Sequence, residues 1–160
     1  MHTLIIYIAK YLIIVPALAW VAVLWWLPKK QRLSFVVHTA IAGVFALVLI
    51  KLGTTLYHDP RPFVRDGVHP YFASSNDNGF PSDHTAASSL VAFLVLRFRR
   101  NIGLLLIAVA LLIGTARVIS GVHHGIDIAG GLVFAALAVL VAWPLEQQVT
   151  KQLVKRLSKQ

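Results

Sequence analysis

The 160-residue sequence contains no cysteine, which excludes disulfides, thiolate catalysis and cysteine-ligated metal. Charge is also scarce: Asp, Glu, Lys and Arg together make up 13% of the chain, about half the soluble norm. Acidic residues are fewest, six against fifteen basic ones, for a formal net charge of +9. There is no internal repeat and no low-complexity segment, so neither a solenoid nor a disordered linker is expected. Hydrophobic residues, by contrast, reach 58%. A soluble domain of this size could not bury that much apolar surface, and the length suits one domain, residues 1–160.

The apolar residues fall into runs. The first extends from about Leu4 to Leu27, broken only by Lys10 and Pro16, and stops at Pro28-Lys-Lys-Gln-Arg32. It is too long for a signal-peptide core and reads as a retained span. Further runs cover about Leu33–Tyr57, Ser82–Phe98, Ile102–Ile119 and Ile126–Trp143. All lie near the ~20 residues that cross a bilayer. The expected fold is therefore all-α, a polytopic membrane helix bundle of about five transmembrane helices. Leu145, Val149, Leu153 and Leu157 recur at helical spacing among lysines and glutamines. They predict an amphipathic basic tail over 145–160, lying on the membrane surface.

Placing the charges orients the bundle. Lys29, Lys30 and Arg32 follow run one, Arg97, Arg99 and Arg100 follow run three, and Lys151, Lys155, Arg156 and Lys159 follow run five. Ten of the fifteen basic residues thus share one side. The positive-inside rule makes that side cytoplasmic, with the N-terminus outside and the C-terminus inside. The basic excess is thereby a topology signal, and no nucleic-acid partner is expected. On the opposite side the same topology gathers the polar stretch His58–Pro81, the start of run three and the hairpin between runs four and five.

That hairpin, Arg117-Val-Ile-Ser-Gly-Val-His-His-Gly-Ile-Asp127, concentrates ionisable groups where they are costly. His123 and Asp127 share a helical face at a spacing of four. The carboxylate can fix the imidazole tautomer and leave the other ring nitrogen free to attack; an ion pair capping a helix hairpin is the alternative. Arg61 and Arg117 offer planar forks suited to phosphate oxygens. Ser82 stands at the N-cap of the helix opened by Pro81-Ser82-Asp83-His84, where free amides favour an anion. His84, in its first turn, can donate a proton to a leaving oxygen. The set suits cleavage of a phosphomonoester or diphosphate. His84, His123, His124 and Asp127 could also ligate a metal, but two arginines aimed at the same place argue against a divalent cation. Neither a metal nor another cofactor is expected. His2 and His38 read as packing or interfacial residues. Arg65, His69, Tyr71 and Asn76 could read a second phosphate or simply be solvated, and Gly130-Gly131 permits close helix packing.

Three blocks in order resemble the type 2 phosphatidic acid phosphatase superfamily, over roughly residues 51–130. Arg61-Pro62 matches the end of its Lys-x6-Arg-Pro block. Pro81-Ser82-Asp83-His84 matches Pro-Ser-Gly-His except at Asp83. Arg117 through His123 and Asp127 matches Ser-Arg-x5-His-x3-Asp except at Ala116. The resemblance implies that Arg61, Ser82 and Arg117 hold phosphate, that His84 protonates the leaving group, and that His123, oriented by Asp127, becomes a phosphohistidine. Thr54 occupies the family's lysine position; Lys51, one turn earlier, is the candidate substitute, and membrane members usually show six spans. Asp83 joins the candidate phosphate-binding set, because Pro-Ser-Asp-His together with Tyr57-His-Asp-Pro-Arg-Pro-Phe63 is similar to the bacterial undecaprenyl-diphosphatase branch associated with bacitracin resistance. By that resemblance the substrate is a polyprenyl diphosphate, hydrolysed on the extracytoplasmic face of a bacterial inner membrane for recycling of the cell-wall carrier. Phosphatidylglycerophosphate or phosphatidate hydrolysis, and a lipid-phosphate transporter or binding protein, stay open, as does homo-oligomerisation.

Overall fold

A computed structural model describes residues 2–158. Among them every regular element is helical: α1 His2–Tyr11, α2 Ile14–Trp26, α3 Lys29–Leu56, α4 Pro62–Arg65, α5 Asp83–Phe98, α6 Arg100–Ile119 and α7 Gly125–Leu157. The apolar run read as one N-terminal span is two helices meeting at 43°. Pro16 explains the break: lacking an amide hydrogen and crowding the carbonyl four residues back, it is tolerated only in a first turn, and α2 starts at Ile14. Helices α3, α6 and α7 are long and apolar enough to cross a membrane, and the bent α1–α2 pair makes a fourth candidate. The chain is a multi-pass membrane protein. The third apolar run, expected as a span, is the 16-residue α5; it lies inside the bundle, packed on α6 and α7.

Packing follows the membrane pattern of small residues inside and large ones outside. Ala42, Ala92, Ala110, Ala138 and Ala142 are fully buried, whereas Leu47 (69%), Leu105 (65%) and Leu140 (59%) are exposed. Glycines let the helices touch. A Cβ at Gly103 would sit 2.2 Å from Leu96 Cα across the α5–α6 hairpin. The Gly130-Gly131 pair packs α7 as the sequence suggests, with Gly130 under the Phe80 ring and Gly131 against the Ser82 and Ala86 backbone. Gly121, at φ 70°, takes the left-handed turn that ends α6.

The bundle has two dissimilar ends. At one, Arg32 donates to the Leu27 and Trp25 carbonyls, and Arg99 to that of Trp26, so cations close the C-terminus of α2. The same end holds Glu146, which the sequence reading left in the surface tail. It is 1% exposed and accepts hydrogen bonds from Ser34, Thr150 and Arg97. Arg97 also donates to His38, which is completely buried. The tail is helical as expected, but it continues α7 through Pro144 as one 33-residue helix. Residues 159 and 160 lie outside the described set. At the other end, His2 stacks on Tyr71 and Ser82 N donates to Asp127 O, which brings the α1 start, the 66–82 loop and the α6–α7 turn together.

Candidate active site

The α6–α7 turn sets the first half of the site. With α7 starting at Gly125, Asp127 falls in its first turn, and its Oδ2 accepts from the His124 amide at 2.9 Å. The same oxygen meets His123 Nδ1 at 3.0 Å. Asp127 is fully buried and His123 is 3% exposed. The other ring nitrogen, Nε2, faces Arg61 Nη1 at 3.2 Å and Arg117 Nη2 at 3.2 Å. Guanidiniums only donate, so Nε2 carries the lone pair and Nδ1 the proton. Burial pushes the His123 pKa below the ordinary imidazole value; Arg117 and Arg61 push the same way, and the Asp127 hydrogen bond opposes them. The ring is therefore neutral at neutral pH.

Arg61 comes from the extended residue ahead of α4. Its Nε and Nη2 both donate to Asp77 Oδ1, at 2.9 and 2.8 Å, and its Nη1 reaches Val122 O at 3.0 Å. Burial works against the charge on Asp77, but Ser75 and Arg61 outweigh it and hold the carboxyl below the usual range. Among the described residues Arg117 has no carboxylate partner. It donates to Ala9 O at 3.1 Å, so α1 contributes to the site, and its buried Nε is unpartnered. Two guanidiniums against one lone pair leave buried positive charge that an arriving anion would balance.

Arg61, Asp77, Arg117 and His123 line a cavity of about 320 Å³ together with His84, Asp83, Thr54, Ser74 and Ser75. His84, His123, Arg61 and Arg117 thus meet as expected. Two other candidates do not line it. Ser82 occupies the N-cap position of α5, but its side chain makes no cap; it is fully buried and accepts from Thr85 Oγ1 at 3.2 Å. Lys51 is exposed and does not line the cavity; Thr54 stands in the wall instead, its hydroxyl on Phe80 O. Asp83 does line the cavity. It separates the cavity from an apolar groove of about 490 Å³ between α3 and α5.

Arg65, His69, Tyr71 and Asn76 do not line the cavity. Asp77 and Asn78, from the same irregular loop, do, and no periodicity pointed to them. Of the residues weighed as metal ligands and set aside, His124 and Asp127 come together with Asp59, their ligand atoms within 4.8 Å of one another. Arg65 already pairs with Asp59 at 3.0 Å there, and His123 engages Asp127.

Residues 31–151 match the PAP2 superfamily, the type 2 phosphatidic acid phosphatases. The chain belongs to that family. Among PAP2 relatives, undecaprenyl-diphosphatase BcrC of Bacillus subtilis (strain 168) is 34% identical over 137 residues, which cover 86% of this chain and 70% of the relative. The putative undecaprenyl-diphosphatase YbjG of Escherichia coli (strain K12) is 36% identical over 159 residues, covering 98% and 79%. The bacitracin transport permease protein BcrC of Bacillus licheniformis is 33% identical over 147 residues, covering 89% and 71%. The crystal structure of Aquifex aeolicus LpxE shares the fold, with a TM-score of 0.62 at 22% identity over 88% of this chain and 82% of that one.

Proposed function

We propose that this PAP2 protein is a lipid phosphatase that removes the terminal phosphate of a polyprenyl diphosphate. The observation that carries the reading is His123: its Nδ1 is tied to Asp127 while Nε2 lies 3.2 Å from each of two guanidiniums in one cavity. In the proposed reaction a phosphoryl group enters that cavity and takes over the Arg61 and Arg117 donors. Nε2 attacks phosphorus, a P–N bond forms, and the bond to the leaving oxygen breaks. His84 takes up a proton with the arriving phosphoryl group, whose negative charge offsets the neighbouring guanidiniums, and gives it to the leaving oxygen; it then takes one from the water that hydrolyses the phosphohistidine. Asp127 balances the charge that develops on the imidazole, and the guanidiniums balance the charge on the equatorial oxygens. No step requires a metal.

A lipid substrate is supported by the groove beyond Asp83. Gly43, Ala46, Leu47, Ile50, Ala86 and Leu90 give it an apolar wall that ends at Asp83, the residue it shares with the polar cavity. A chain can lie there while its headgroup sits among the arginines. The names of BcrC and YbjG support undecaprenyl diphosphate in particular. The site lies at the bundle end opposite the basic cluster, which supports an extracytoplasmic active site, five membrane-crossing segments with α5 as the inner one, an outside N-terminus and a cytoplasmic C-terminus in a bacterial inner membrane.

The test is phosphate release by purified protein from undecaprenyl diphosphate, phosphatidylglycerophosphate and phosphatidate, each with EDTA present. Preferred turnover of the diphosphate with chelator is the expected result. Faster release from either phospholipid reassigns the substrate, binding without release makes the protein a carrier, and activity restored only by a divalent ion overturns the metal-free mechanism. His123→Ala is expected to abolish turnover and keep lipid binding.

A further inference from the structure

The proposed chemistry leaves His124 unused, although it adjoins the nucleophile and its ring turns away from the cavity. Its Nδ1 lies 2.9 Å from Asp59 Oδ2, and its Nε2 lies 2.9 Å from Asp66 Oδ2. A neutral imidazole has one N–H, so both contacts are hydrogen bonds only when the ring carries two protons. Burial works against that charge, but Asp66 and Asp59, with Asp127 behind them, outweigh it and hold the pKa above the ordinary imidazole value. Arg65 faces the same carboxylates, 3.0 Å from Asp59 and 3.6 Å from Asp66.

Where those two aspartates sit gives the contacts their meaning. They are the two ends of the segment 59–66, and Arg61 lies between them. Arg61 is the N-cap of α4 and Asp66 its C-cap. Asp59 is fixed from within: its amide donates to Asn78 Oδ1 at 2.9 Å, and its carbonyl accepts from Gly79 N at 2.9 Å. The His124 amide, in turn, donates to the Asp127 oxygen that orients His123. One residue therefore joins the support of the nucleophile to both ends of the segment that carries a phosphate-facing guanidinium.

We propose that doubly protonated His124 is a positioning residue, a clamp that holds Arg61 against His123 Nε2 and so sets the affinity of the cavity for a phosphate group. The proposal rests on reading the cavity as a phosphate site, and it holds for any lipid. When one ring proton leaves, a lone pair faces a carboxylate oxygen and one contact turns repulsive. Asp66, whose side chain is 44% exposed, can swing into water, whereas Asp59, at 2%, cannot. The α4 end of the segment is then released. Because the imidazolium is favoured in the fold, the clamp is closed below the folded pKa of His124 and opens as pH rises through it.

Inorganic phosphate is the probe, titrated calorimetrically into the full chain in detergent across the imidazole range. His124→Gln is expected to weaken phosphate binding roughly tenfold at about pH 6 and progressively less at higher pH, where the wild type loses its own clamp. The ionisation of phosphate and of His123 cancels in that ratio. His124→Arg keeps two donors and a permanent charge, so it is expected to bind near wild-type strength at about pH 6 and to hold that affinity where the wild type weakens. If His124→Gln does not fold, Asp66→Asn decides, because its half-exposed carboxylate can be neutralised without stranding buried charge; the same loss and the same flattened pH dependence are expected. Folded variants that match the wild type at every pH overturn the clamp alone. A wild type that binds no phosphate overturns both the clamp and the phosphatase reading.

Discussion

His123 Nδ1 and Asp127 Oδ2 are 3.0 Å apart, in side chains 3% and 0% exposed. A carboxylate so placed fixes the tautomer and offsets charge on the ring as a P–N bond forms. Asp127→Asn retains the volume and loses the charge. We expect kcat to fall by about 10³-fold or more, while phosphate affinity stays within a few-fold, because Arg61 and Arg117 do not touch Asp127. Single-turnover kinetics beside phosphate titration separate the two effects. An unchanged kcat would remove Asp127 from the mechanism.

The depressed pKa of His123 sets an acid limit. In the fold the neutral ring is favoured, so the nucleophile is available above its folded pKa and lost as pH falls through it. The sign is the same for stability: the contribution is fully present above about pH 6.5, the unfolded value, and disappears as pH falls through the folded value. We expect the acid limb of kcat/KM to lie below the ordinary imidazole value. Arg117→Met removes a cation that opposes protonation, so the His123 titration, read by ring NMR, should move to higher pH. A downward movement would contradict the assigned cause.

Arg61 and its partner Asp77 should respond unequally. Arg61→Lys loses the fork that reaches Asp77, Val122 O and His123 together. Losing charge-assisted bonds of about 1.5–3 kcal/mol predicts roughly 10–100-fold weaker phosphate binding. Asp77, whose side chain is 63% exposed, holds Arg61 from the wet side, so Asp77→Asn should cost far less. Equal losses in the two variants would make Asp77 an integral part of the anion site.

How far the sequence showed this site depended on where each residue sits. Arg117, His123 and Asp127 lie within eleven residues around one turn, so their meeting was written locally, although His123 stands in the turn ahead of α7 and not on a shared helix face as its spacing suggested. Arg61 and His84 were legible through the blocks they belong to. Asp59, Asp77 and Asn78 were not, because they sit in or beside an irregular loop whose partners only the tertiary fold selects. Lys51 misled for a related reason: helical periodicity placed it on the right face, but α3 ends so that Thr54, one turn later, reaches the cavity wall. Hydropathy likewise counted α5 as a span, though one barely long enough. Its 16 residues and its serine- and threonine-rich interior face suit a helix enclosed by others.

Glu146 was the least legible residue, a lone acid in what read as an amphipathic tail on the membrane surface. Its Oε1 accepts from Ser34 and Thr150 at 2.6 and 2.9 Å, and its Oε2 from Arg97 at 2.8 Å. The chain of contacts continues from Arg97 to His38 Nδ1 at 2.8 Å and from His38 Nε2 to Val139 O at 3.0 Å, pinning α3, α5 and α7 together. Removing Glu146 leaves a guanidinium only 22% exposed without its carboxylate, beside a fully buried His38. Glu146→Ala should therefore destabilise the bundle by about 3–5 kcal/mol, visible as a thermal transition on the order of 10 °C lower in detergent. Replacing both charges, Arg97→Met with Glu146→Leu, should recover most of that loss, since apolar pairs of similar volume replace buried ion pairs at little cost. The cluster lies at the far end from His123, so the folded double variant should bind phosphate as the wild type does. Recovery of the transition temperature with loss of phosphate binding would show that the two ends of the bundle are coupled.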